Sequence, residues 1–226
     1  MSKTLLGIVG GMGVQATACY FDKLHNFQNV TTEQEYIDIL LYSIPSIPDR
    51  TAYIMQQSSE NPLDILVNAL QTLESAGVSC ITIPCATSHY FYENLVEATN
   101  VPIINMLDVT ARNVSESGAE KVYLLATDGT ISSKIFHSAF DKYGIDVCVP
   151  ASSVQSRVME IIYDIKRGTA VSSDVIESLS KQPCEGKKQV TILGCTELCI
   201  YAGQSPGVIN ILDILAQAAI KQMRDL

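Results

Sequence analysis

Two segments of this chain repeat one pattern 110 residues apart, counted from Cys85 to Cys195. The first is Ile81-Thr82-Ile83-Pro84-Cys85-Ala86-Thr87-Ser88-His89, and the second is Val190-Thr191-Ile192-Leu193-Gly194-Cys195-Thr196-Glu197-Leu198. In each, a β-branched apolar run ends at Pro or Gly, a cysteine comes next, and Thr stands one or two positions on. Runs that are apolar without alternation belong to strands buried on both faces, which is the environment of a parallel sheet covered by helices.

The segments between fit that reading. Leu5 to Gly10 reads as a strand running into the glycine cluster Gly10-Gly11-Met12-Gly13, with a helix from about Gln15 to Gln28. Strands are predicted over 36–44, 78–83 and 102–104, and helices over 62–76 and 88–99. Pro45 and Pro48 mark a loop between the second strand and Arg50. The order then restarts: helix 108–117, strand 121–126, the turn Thr127-Asp128-Gly129-Thr130, helix 133–143, strand 146–149, helices 154–166 and 171–180, strand 189–193, strand 208–210 and helix 212–223. Strand–helix alternation of this kind makes an α/β fold. The expected architecture is two topologically similar lobes, each a short parallel sheet flanked by helices, related by a pseudo-twofold axis with a cleft between them. The boundaries are 1–106 plus 208–226 for the lobe with Cys85, and 107–207 for the lobe with Cys195. Open parallel sheets bind ligands beyond the carboxyl ends of their strands, so both thiols should face the one cleft.

Composition narrows the function. The net charge of −9 disfavours nucleic acid, whose phosphates need a basic patch. The apolar runs fall short of the roughly 18 residues a membrane span requires, and no secretion leader is read, so a cytoplasmic protein is expected. The seven cysteines (Cys19, Cys80, Cys85, Cys148, Cys184, Cys195, Cys199) are odd in number and irregularly spaced, as in a reducing compartment. They form no CxxC pair, and His25, His89 and His137 are scattered, so no metal site is expected. Outside positions 85 and 195 the cysteines read as structural or incidental. Gly11-x-Gly13-x-x-Ala16 fits a loose dinucleotide fingerprint, but no acidic residue ends the second strand to hold a ribose. The loop is better read as backbone amides facing a carboxylate, with Met12 and Gln15 counted among the substrate-binding residues.

A thiol at a strand-to-helix junction is a candidate nucleophile or base, because helix-start amides favour thiolate. Two such thiols facing each other suit two-base proton transfer, in which one thiolate removes a proton from a carbon and the other thiol returns one to the opposite face. An acidic chain that binds an anion must supply local cations. Arg50 is one candidate, through bidentate pairing with a carboxylate. Lys166 closes a helix, a place where a cation is favoured on dipole grounds alone.

The set Gly10-Gly11-Met12-Gly13, Pro48-Asp49-Arg50-Thr51, Pro84-Cys85-x-Thr87-x-His89, Leu125-Ala126-Thr127-x-Gly129-Thr130 and Gly194-Cys195-Thr196-Glu197-Leu198 resembles the aspartate/glutamate racemase family, in that order and over nearly the whole chain. The resemblance implies an amino-acid racemase acting on aspartate or glutamate, with no pyridoxal phosphate, no metal and commonly a homodimer. Cys85 and Cys195 would be catalytic, and Arg50 and Lys166 would hold the side-chain carboxylate. The α-carboxylate would lie against Thr87, Ser88, Thr130 and Thr196, with Thr127 and Glu197 also at the substrate. One departure is Ala86, where the family usually has Asn contacting the amino-acid end of the substrate; Ala neither donates nor accepts there. The alternatives are a maleate isomerase or hydantoin racemase of the same superfamily, and a non-catalytic amino-acid-binding protein.

Overall fold

The computed structural model describes residues 4–181, 188–203 and 205–226; Cys184 lies outside them. In chain order the elements are β1 (Leu5–Gly10), α1 (Val14–Asn26), β2 (Asp38–Ser43), α2 (Arg50–Ile54), α3 (Leu63–Ser75), β3 (Cys80–Thr82), α4 (Tyr92–Glu97), α5 (Met106–Glu116), β4 (Lys121–Leu125), α6 (Asp128–Ser132), α7 (Ile135–Asp141), β5 (Asp146–Cys148), α8 (Ser152–Lys166), α9 (Ser173–Ser180), β6 (Gln189–Leu193), α10 (Thr196–Ile200), β7 (Val208–Asn210) and α11 (Ile211–Asp225). They form two all-parallel sheets, in the orders β2-β1-β3 and β5-β4-β6-β7.

The sheets are copies of one plan. The first strand of each lobe is central, the second pairs on one side and the third, which leads to the cysteine, on the other. Beyond β3 the copy continues as a single parallel bridge between Ile81 and Ile103, where the other lobe has β7 on β6. The predicted strand over 102–104 is therefore reduced to one bridge. The predicted boundary also moves: Val208–Asn210 is hydrogen-bonded to β6, so it belongs to the second sheet and not to the lobe of Cys85.

The helix after each of these edge segments joins the lobes. Ile103-Ile104-Asn105-Met106-Leu107-Asp108 and Val208-Ile209-Asn210-Ile211-Leu212-Asp213 are near-identical runs. In both, the asparagine side chain caps the helix it precedes: Asn105 accepts from the amides of Leu107 and Asp108, and Asn210 from that of Leu212. The capped helices then dock on the opposite lobe. Helix α5 packs on α7, α11 packs on α1, β1 and β3, and the two pack on each other. Helix α11 buries Ile211, Leu212, Leu215, Ala216, Ala219, Ile220 and Met223, an apolar stripe with helical spacing. One hydrophobic core accordingly runs from Leu6 and Ile8 of the first sheet to Ile192 and Leu193 of the second. A second, smaller core lies between α3 and the other face of the first sheet, around Leu66, Leu70, Leu73 and Ile81.

Packing sets where the cysteine-bearing strand ends. At Gly194 a Cβ would stand 2.5 Å from Leu124 Cδ1, so a side chain there would displace this buried leucine where the end of β6 lies against β4, and the Gly194 amide bonds Leu125 O at 2.7 Å. The expected helix over 88–99 is a 3-10 turn over Thr87–Phe91 and then α4. Two short helices, α2 and α6, occupy segments that the sequence reads as loop and turn; each is started by a side-chain cap, Asp49 onto Ala52 N and Thr127 onto Thr130 N. Among the described residues no helix is long and apolar enough to cross a membrane.

Leu215 is fully buried in the core shared by both lobes. Leu215→Ala should cost about 2–5 kcal/mol, and urea unfolding monitored by circular dichroism should still give one transition.

Candidate active site

Both cysteines line one cavity between the lobes. Cys85 comes after β3 and Cys195 after β6, so the two sheets present their carboxyl ends to the same space. The walls also include Met12, Arg50, Thr51, Ala86 and Thr87 from the first lobe, and Thr127, Lys166, Thr196 and Glu197 from the second. The cavity has about 10 Å³ of room for water-sized spheres, near the least that one water requires. The lobes are closed on one another.

The contacts that close it are polar and run from lobe to lobe. The Thr87 hydroxyl lies 3.2 Å from that of Thr127 and 2.9 Å from that of Thr130. The Gly13 amide donates to Glu197 Oε1 at 3.0 Å; a Cβ at position 13 would lie 2.8 Å from that oxygen and displace the carboxylate. Asp49 Oδ2 accepts from the Tyr163 hydroxyl at 3.2 Å and stands 3.6 Å from Lys166 Nζ. Burial pushes the Asp49 carboxyl up, but Lys166, the Ala52 amide, Arg50 and Tyr163 together outweigh it, leaving it below the ordinary carboxylate range.

The two thiols have different surroundings. Cys195 Sγ donates to Glu197 Oε2 at 2.9 Å. Burial, with the Glu197 charge next, raises that thiol well above its ordinary range, and Lys166 opposes the rise. Burial would lower Lys166, but Glu197, Cys195 and Asp49 outweigh it and keep the ammonium charged. Arg50 is buried; its Nη1 donates to Ile47 O and Pro48 O, its Nη2 to Met12 O, and its Nε has no partner.

Three expected binding residues are not among those that line the closed cavity. Gln15 is exposed on α1. Ser88 is fully buried and donates to Met12 Sδ behind the wall. Thr130 stands behind Thr87 and Thr127, bonded to both. Glu197, expected at the substrate, lines the cavity with its carboxylate engaged by Cys195 and Gly13. Thr51, Asp49 and Tyr163 carry no assignment from sequence. Tyr163 is reachable from its position three residues before Lys166, on the same helix face, and Thr51 from its place beside Arg50.

A family model described as Asp/Glu/Hydantoin racemase matches residues 9–221. The chain belongs to that family. It is similar to the Picrophilus torridus aspartate racemase, at 29% identity over 98% of this chain and 94% of that one, with a TM-score of 0.86. An aspartate racemase homologue from Pyrococcus horikoshii aligns at 26% identity over 98% and 99%, with a TM-score of 0.78. The broad specificity amino-acid racemase RacX of Bacillus subtilis (strain 168) is 24% identical over 225 residues, 92% of each chain. The two-lobed racemase fold places the cysteines of this family member where the sheets meet.

The charges around Cys195 make opposite demands on it. Glu197→Gln should move the pH dependence of Cys195 alkylation by iodoacetamide to lower pH, and Lys166→Met should move it higher; peptide mapping across a pH series reads both.

Proposed function

We propose that this chain is a cofactor-independent amino-acid racemase that interconverts the enantiomers of aspartate or glutamate by proton transfer between Cys85 and Cys195. The observation that carries the reading is the meeting of these two thiols, 110 residues apart in sequence, in the wall of one closed cavity. Supporting it, the cavity brings together two cations, Arg50 and Lys166, in a chain whose net charge is −9. The unpartnered Arg50 Nε–H is available to a carboxylate oxygen.

In this scheme the substrate's side-chain carboxylate lies at Arg50 and Lys166, and its α-carboxylate at Thr87, Thr127 and Thr196. One cysteine thiolate takes the α-proton, and the electron pair of the broken C–H bond passes onto the α-carbon and α-carboxylate. The opposite thiol then donates its proton to the other face of that carbon. One thiol and one thiolate enter, and the same pair leaves with the roles exchanged. Side-chain proton transfer contributes about 10²–10⁴-fold. The remainder comes from hydroxyls and amides fixed around the α-carboxylate, where charge develops. Cys195, whose thiol is bonded to Glu197, gives up its proton when Cys85 takes the α-proton of one enantiomer, and the two cysteines exchange roles for the other enantiomer. A cavity with room for about one water has none for an amino acid, so the lobes part to admit substrate and close to exclude solvent.

Cys85→Ser and Cys195→Ser should each abolish racemisation of L- and D-aspartate and glutamate, as measured by chiral chromatography. In deuterated buffer each single variant should keep α-proton exchange with one enantiomer only. Full racemisation by either variant sinks the two-base scheme.

A further inference from the structure

Four residues beyond each cysteine stands a side chain that the reaction scheme does not use. In the first lobe it is His89, and in the second Cys199. His89 is buried; its Nδ1 lies 3.0 Å from Cys85 O, and its Nε2 lies 3.1 Å from the amide nitrogen of Met106. A carbonyl only accepts and an amide only donates, so the ring is the neutral tautomer with its proton on Nδ1. Burial agrees, pulling the imidazole down to about 4. The ring also lies parallel to Tyr92 at 5.9 Å, and Tyr92 is held in turn by a hydroxyl bond to Ile103 O.

Cys199 repeats the plan with weaker chemistry. Its Sγ lies 3.8 Å from Cys195 O and 3.4 Å from Leu193 O, and the amides of Ile211 and Leu212 face the sulfur. Met106 and Ile211 open the matching helices α5 and α11. In both lobes the carbonyl of the active-site cysteine is thus linked, through the residue four places on, to the first turn of the helix that crosses to the other lobe. Only in the first lobe is that link a rigid ring with two directed hydrogen bonds.

We infer that His89 is a positioning residue for Cys85, its imidazole fixing the Cys85 carbonyl against the start of α5 and so aiming the thiol across the cleft. The segment it closes, Cys85-Ala86-Thr87-Ser88-His89, supplies three residues of the cavity wall. Besides this bridge the segment is held by the His89 N to Ala86 O bond at 3.0 Å and by the side-chain bonds of Thr87 to Thr127 and Thr130 and of Ser88 to Met12, none of which runs to the start of α5. The inference rests on the two-cysteine reading, and it concerns one face of the substrate only.

That one-sidedness gives the test. The enantiomers have equal free energy, so kcat/KM for the two directions stays equal in every variant. Exchange of the α-proton in deuterated buffer separates the faces, since each enantiomer meets a different cysteine. His89→Asn places an amide N–H near Nδ1 and keeps the bond to Cys85. His89→Gln places its amide near Nε2 and keeps only the bond from Met106. Exchange by His89→Gln should fall at least tenfold for the enantiomer facing Cys85 and less than threefold for the other, while His89→Asn stays within about threefold of the native protein for both. Iodoacetamide alkylation should change at Cys85 and not at Cys195. Should His89→Gln fail to fold, Tyr92→Leu frees the ring and should give the same one-sided loss. Parallel loss for both enantiomers, equal effects of Asn and Gln, or an unchanged Cys85 alkylation rate overturns the inference. Absence of exchange in the native protein refutes the racemase reading itself, and the alkylation comparison then still decides the role of His89.

Discussion

The exchange of helices between lobes is the constraint on which the site depends. Each sheet alone, of three or four short strands, carries one cysteine and cannot set its distance from the other. By docking α5 on the second lobe and α11 on the first, the chain merges the two sheets into one core. The carboxyl ends of β3 and β6 are then fixed relative to each other through packed Leu, Ile and Ala side chains. The asparagine caps at 105 and 210 set where each helix begins. The same two helix starts anchor the side chains behind both cysteines.

Against that apolar frame the cleft is closed by the polar contacts described above and by the packing of α6 on α2. Buried charge is expensive to desolvate, and a buried pair is weak ground for stability. A fully apolar seam would close more tightly, but it would neither bind a zwitterion nor reopen easily. The Asp49, Tyr163 and Lys166 contacts are partly exposed, which keeps them modest and breakable. The unequal settings of the two thiols come from the residue that each lobe places beside its cysteine. Glu197 sits two residues past Cys195, where the first lobe has Thr87 two past Cys85. A charge difference of one in so dry a place separates two otherwise matching halves.

Much of this is legible in the chain. The paired apolar runs ending in cysteine specify parallel strands and a shared cleft, because continuous apolar character and strand polarity both survive in sequence. Of the residues lining the cavity, Thr51 alone carries no assignment from sequence; its neighbour Arg50 stands out by charge, whereas a hydroxyl on a loop does not. Gln15 is exposed and does not line the closed cavity, because a helix start beside a glycine loop points some of its side chains to solvent. Ser88 and Thr130 bond protein groups in the closed cavity, Ser88 to Met12 and Thr130 to Thr87 and Thr127, which sequence alone does not show. The placement of β7 escapes the strand-by-strand reading, although the Ile-Asn-x-Leu-Asp repeat at 104–108 and 209–213 is present in the sequence. As a pair, those runs put each edge strand in the lobe that precedes it. The short helices α2 and α6 escape because five residues leave no periodicity to detect.

The helix exchange has a consequence for synthesis. Strand β1 occupies residues 5–10, and the helix covering it occupies 211–225. A nascent chain therefore carries the first sheet with this face covered by α1 but not by α11 until residues 211–225 are translated. Contacts so distant in sequence close slowly, and exposed strand faces invite association with other chains. Whatever shields that apolar patch during synthesis bears on the yield of this protein in a way that its finished structure conceals.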